Sequence, residues 1–195
     1  MHTIEPTRAV LHDTVTLIDK VTDVDLRLPT PCAGWDLAML LGHMTAQHHG
    51  FAAAARGSGG DLAVWAQAPA GADAADRYRE AVADVLAAFS VGDVFERPFH
   101  LAEFDATVPG RMAVGMHLVD YVVHGWDVAH TLGAGFRPGA EAVTAALEVA
   151  RSVPDGADRL APGAPFAPAH PVPVDADPLT EILLLLGRDP SRRPG

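Results

Sequence analysis

The chain has 195 residues, with 25 acidic side chains against 14 Lys and Arg and a formal net charge of −11. That length supports one full hydrophobic core, and the acidic balance, with no basic stripe to offset it, excludes the electrostatic footprint of a nucleic-acid-binding protein. The single cysteine, Cys32, excludes an internal disulfide, and the chain shows neither an apolar run of membrane-spanning length nor a signal peptide's basic and apolar regions.

Residues 5–22 are predicted to form a first helix, because Val10, Leu11, Val15, Leu17, Ile18 and Val21 recur at helical spacing with acids and Lys20 opposite. His12 on it reads as a surface or core-edge residue. Two prolines and a glycine make residues 25–35 a loop. A second helix is expected over 35–56, ending at Gly57, with Leu37, Leu40, Leu41, Met44 and Phe51 toward the core. Asp36 reads as an acid favourable to the helix dipole. His43 falls on or beside the buried side. His48 and His49 lie about 140° and 240° round from it, so the three cannot share one site.

A third helix is predicted over 72–89 from Tyr78, Val82, Val85, Leu86 and Phe89. Between 94 and 109 the pattern turns short and extended, a crossing loop or irregular hairpin that carries His100. A fifth helix is expected over about 138–152, with Pro at its start. Many prolines make 153–178 a loop or packed arm, and a short apolar helix over about 178–186 must be buried.

The informative stretch is the fourth helix, about 111–132. Offsets of three and four residues put His117, Asp120 and His124 within roughly 60° of one another on one side of it. The rest of that face is apolar: Val114, Tyr121 and Val128. A buried carboxylate and imidazole must be paired, hydrogen-bonded or bound to a metal. Asp and His at i, i+4 can offer two ligands to one divalent ion, or simply bond to each other.

Three blocks carry a resemblance: Thr30-Pro-Cys-Ala-Gly-Trp-Asp36 with Leu41-Gly-His43, then Asp120-Tyr-Val-Val-His124-Gly-Trp-Asp127, then Phe166 to Pro178 closing with Leu186-Gly-Arg-Asp-Pro190. The chain resembles the DinB-like superfamily, and within it the single-domain proteins related to the N-terminal metal-binding domain of mycothiol-dependent maleylpyruvate isomerase. The resemblance implies an all-α fold in one domain: a four-helix bundle over about 5–133, then C-terminal helices and a Pro-rich arm over about 134–195. It also implies a divalent metal, zinc before nickel, with His43, Asp120 and His124 as ligands. The isomerase has Glu where this chain has Asp120, one methylene shorter, and it has a second domain that this chain lacks, so its isomerisation is not carried over.

In thiol-transferase members of the superfamily, the resemblance implies that mycothiol supplies the thiol. His117, one turn before Asp120, is then the catalytic candidate, as orienter or proton acceptor; its alternative is a histidine facing the interhelical seam. Cys32 reads as structural, Trp35 and Trp126 as core anchors, and Asp127 as a support for Trp126 or a helix end. Arg111 and Arg137, flanking the fourth helix, are the arginines expected nearest the site. The expected function is a metal-dependent enzyme using a low-molecular-weight thiol on a small molecule, in the cytoplasm, as a monomer or homodimer. The alternatives are a non-catalytic metal- or small-molecule-binding bundle and a metal-assisted hydrolase.

Overall fold

The computed structural model describes residues 3–161 and 164–192. Four helices form the bundle: α1 (Glu5–Ile18), α2 (Leu37–Ala55), α3 (Ala74–Phe89) and α4 (Gly110–Thr131). α1 packs on α3 and α4, and α2 packs on the same two from the other side, so α1 and α2 are diagonal partners. α5 (Ala140–Ser152) lies against α4 and α1, and α6 (Pro178–Leu185) lies against α5. No described helix is long and apolar enough to cross a membrane.

The first helix stops four residues short of the expected 22. The N–H groups of Lys20 and Val21 turn back to the carbonyls of Leu17 and Ile18 at 3.1 and 3.0 Å, a tighter i to i−3 pattern that ends the α-helical ladder. The stretch that reads as extended is a small antiparallel hairpin, β1 (Pro98–Leu101) paired with β2 (Ala106–Pro109), turned at Asp105 with φ +46°. Phe99 and Leu101 point inward and are fully buried, so the hairpin closes one side of the core.

Three local devices place the site. The loop before α2 is closed by a bridge between Pro29 and Asp36 and by Thr30, whose N–H and hydroxyl both donate to the Trp35 carbonyl. Cys32 rides on that loop. Asp36 is more than a dipole acid: its carboxylate accepts the Met39 N–H at 2.9 Å and caps α2. At the other end of the chain, α6 ends in a Schellman turn. Gly187, at φ +77°, donates to Leu184 and Arg188 to Leu183, at 3.2 and 2.8 Å. A residue with a side chain would be strained at Gly187, and its Cβ would lie 2.6 Å from the Ala167 carbonyl. The turn points Arg188 back into the body. Arg159, 8% exposed, donates to the carbonyls of Pro154, Ala167 and Leu185 and so ties the Pro-rich arm to α6.

Candidate metal centre

His43 from α2 meets Asp120 and His124 from α4. One ligand atom from each lies within 4.8 Å of the others. The two helices are held at that separation partly by Tyr121, one residue past Asp120, whose hydroxyl donates to the Met44 carbonyl on α2. The imidazoles of His43 and His124 meet edge to face with centroids 5.0 Å apart. Asp120 Oδ1 stands 3.4 Å from His124 Nε2. That is long for a charged hydrogen bond, but it matches the spacing of about 3.4 Å between an oxygen and a nitrogen ligand on one tetrahedral zinc ion.

The donor set fits a divalent cation on a second ground. His43 Nδ1 and Asp120 Oδ2 are buried with no hydrogen-bond partner among the described residues. Such orphaned atoms are costly in folded proteins, and a bound cation is one partner that could satisfy them. The site is also reachable, since His43 is half-buried and the Asp120 side chain is 22% exposed.

The electrostatics are those of a site arranged around positive charge. Burial and the nearby His124 push His43 down to about 4, so its ring is neutral and free to ligate. Burial works to raise the Asp120 carboxyl, but His124, His43 and His117 outweigh it and hold it at about 2. Burial disfavours the charged form of His124, yet Asp120, Asp127 and Cys32 around it raise its pKa well above the usual histidine range.

Asp127 does not serve Trp126 or a helix end. It is fully buried, and its Oδ2 accepts from His124 Nδ1 at 2.9 Å, from Cys32 Sγ at 3.3 Å and from Arg188 at 3.3 Å. This is the carboxylate–histidine arrangement that fixes the tautomer and direction of a ligating imidazole. The i, i+3 spacing of His124 and Asp127 was the available signal. Arg111 and Arg137 are both exposed, and the arginine at the site is Arg188, 61 residues from Asp127 in sequence.

His117 is fully buried, and its Nε2 lies 3.1 Å from His48 Nδ1, away from the trio. Around this pair stand Phe51, Phe89 and Tyr121, the last stacked on His48 at 4.1 Å. His117 therefore faces the interhelical seam. His49 is exposed, and His100, also exposed, bonds Thr107 within the hairpin. Trp35 is half-buried with its ring 5.1 Å from His43, so it flanks the site; Trp126, half-buried, stacks on His130 at 4.5 Å.

The mycothiol maleylpyruvate isomerase N-terminal domain model matches residues 7–129. Two uncharacterised proteins, from two strains of Mycobacterium tuberculosis, are each 28% identical over 167 residues, covering 82% of this chain and 83% of their own. Among solved structures, the mycothiol-dependent maleylpyruvate isomerase aligns with a TM-score of 0.52 at 15% identity, and a variant of it with one histidine replaced by alanine aligns with 0.58 at 14%. Each alignment covers 74% of this chain and 65% of the isomerase chain, and at that identity it shows the shared fold.

Proposed function

The chain belongs to the mycothiol maleylpyruvate isomerase N-terminal domain family, and from that premise we propose that it binds one divalent metal ion, zinc before nickel, through His43, Asp120 and His124. We propose further that it uses the ion with a low-molecular-weight thiol such as mycothiol, in a transferase or isomerase type of reaction. One observation carries the reading: three ligand atoms from two helices converge, two of their buried polar atoms lack a partner, and an oriented imidazole stands among them.

A zinc ion held by three protein ligands keeps an open position and lowers the pKa of a thiol or water bound there, which supplies a nucleophile at neutral pH. This chain's own residues do the rest. Asp127 holds the Nδ1 proton of His124, which turns the Nε2 lone pair toward Asp120 and His43. His43 is kept neutral by burial. Asp120 brings the one negative charge of the trio and offsets half of a dication's charge. Trp35 walls the His43 side of the entrance. His117 makes no contact with substrate in this reading, because it is sealed in the core.

The test begins with metal content. Wild type should carry about one equivalent by elemental analysis, and His43→Ala and His124→Ala should each lose it. Full metal content in both variants would overturn the site. Consumption of mycothiol with a panel of electrophiles then separates an enzyme from a bundle that binds metal without turnover. Hydrolysis that needs no thiol would instead point to a metal-assisted hydrolase.

A further inference from the structure

His124 has a donor set on each face. On the Nε2 side stand Asp120 and His43. On the Nδ1 side stand Cys32 and Asp127, whose ligand atoms and Nδ1 also all lie within 4.8 Å of one another. The second set is spaced 2.9 Å from Nδ1 to Asp127 Oδ2, 3.3 Å from Cys32 Sγ to that oxygen, and 4.0 Å from Sγ to Nδ1. Ligand atoms on one tetrahedral zinc ion sit about 3.4–3.6 Å apart, so this face lies within about half an ångström of such a set. By donor type it is the stronger lure, since a thiolate is the ligand a borderline-soft ion prefers. Asp127 Oδ1 adds a further buried oxygen without a partner.

This face already holds a cation. Arg188 enters from the Schellman turn after α6, with its side chain 10% exposed. One terminal nitrogen lies 3.3 Å from Asp127 Oδ2 and 3.8 Å from Cys32 Sγ, and the other donates to the Leu186 carbonyl at 2.9 Å. A guanidinium keeps its charge at any pH at which the protein folds, and its fork fixes where that charge sits.

We propose that Arg188 is a built-in cation that closes the Cys32–Asp127–His124 face to metal and so decides which side of His124 the ion takes. The inference rests on the metal reading above for the open face, while the closed face is tested separately. The same side chain does two things: it repels a second cation from the thiol, and it holds Asp127 on Nδ1 so that Nε2 is the nitrogen left to ligate. Arg188 is thus a positioning residue delivered by the C-terminal segment, and Cys32 is left unligated because no metal reaches it.

Cobalt(II) is the probe, titrated into the full-length wild type, Arg188→Met and the double variant Arg188→Met with Cys32→Ser. Thiolate ligation gives cobalt an intense near-ultraviolet charge-transfer band that nitrogen and oxygen ligands do not. Wild type should take one equivalent with no such band. Arg188→Met should develop the band, and Cys32→Ser should abolish it. A band in wild type, or an Arg188→Met protein that binds one equivalent with none, overturns the proposal. A wild type that binds no cobalt beside an Arg188→Met protein with the band sinks the His43–Asp120–His124 reading and leaves this one standing; no binding by either protein sinks both. Should Arg188→Met fail to fold, Arg188→Gln, which keeps donors but no charge, carries the same outcomes.

Discussion

Asp127 meets His124 at Nδ1, 2.9 Å away and three residues on along α4, and it does so from a fully buried position. All three of its partners, His124, Cys32 and Arg188, donate to one oxygen. The carboxylate is therefore an acceptor fixed in place from three sides. Asp127→Asn keeps the shape but weakens the acceptor and puts an amide nitrogen at the position where Oδ1 already lacks a partner. Metal affinity should fall 10–100-fold, the range for lost outer-shell partners of ligating histidines. Competition with a chromogenic chelator measures it. An unchanged affinity would show that His124 is oriented by packing alone.

Metal uptake should also release a proton. In the metal-free protein Asp120, Asp127 and Cys32 overcome burial to raise the His124 pKa well above its usual range, so the ring is charged at pH 7. Ligation needs Nε2 bare. Calorimetry in buffers of different ionisation enthalpy should report about one proton per ion, and apparent affinity should fall by up to tenfold for each unit of falling pH below neutrality. No proton release at pH 7 would contradict a charged His124.

The buried His48–His117 pair sets an acid limit on stability. Burial drives both rings toward the neutral form, His117 to about 3 with Asp120 only partly opposing, and His48 well below its usual range with the like charge of His117 adding to burial. The unfolded chain titrates both near pH 6.5. Below that pH the unfolded state binds more protons than the folded one, so stability is complete above about 6.5 and is lost as pH falls toward the folded value. Each histidine should contribute up to about 1.4 kcal/mol of loss per pH unit across that window. Urea midpoints of metal-free protein between pH 7 and 4.5 should fall accordingly, and a His48→Phe with His117→Phe double variant should flatten the slope. His48→Ala alone should keep metal yet lose about 1–3 kcal/mol, because it leaves His117 Nε2 unpaired. His49→Ala, at an exposed position, should stay within about 0.5 kcal/mol.

What the sequence could yield divides by range. Local signals place the cores of the six α-helices and the break at 94–109: apolar periodicity for the bundle helices, a starting Pro for the fifth and an apolar run for the sixth. The trio is legible in part: Asp120 and His124 share a helix face, but His43 joins them only through the resemblance, 77 residues earlier than Asp120 in the chain by subtraction. The other face of His124 was not legible. Cys32 lies 92 residues from His124, and Arg188 lies 61 from Asp127 and 156 from Cys32. No periodicity spans such gaps. A Leu run followed by Gly does signal a Schellman end, which sends the next residue back toward the body, but it does not say toward what. His117 failed as a site candidate for a related reason: the helix face it shares with Asp120 is broad enough to look into the seam at one turn and toward solvent at the next.

Asp120 is the position where the resemblance implies a longer acid in the isomerase, and it tests the site most sharply. Its Oδ1 faces His124 Nε2 at 3.4 Å, while its Oδ2 is buried with no partner. As a direct ligand its carboxylate offsets part of the cation's charge, so Asp120→Asn should cut metal affinity by well over 100-fold, more than the loss of an outer partner. As a support for His124 alone, the loss should stay within about 10–100-fold. Asp120→Glu separates the two further. The side chain is 22% exposed, so one added methylene has room to extend toward the open side. A ligand one methylene short should bind metal as well or better when lengthened, with the thermal midpoint of the metal-free protein nearly unchanged. A residue merely wedged in the seam should instead be overpacked, at a cost of about 1–3 kcal/mol. Metal affinity and thermal midpoint measured on the same three proteins decide between them. Affinity unchanged in both variants would remove Asp120 from the centre and leave two histidines, too few to hold a catalytic zinc ion with one position open.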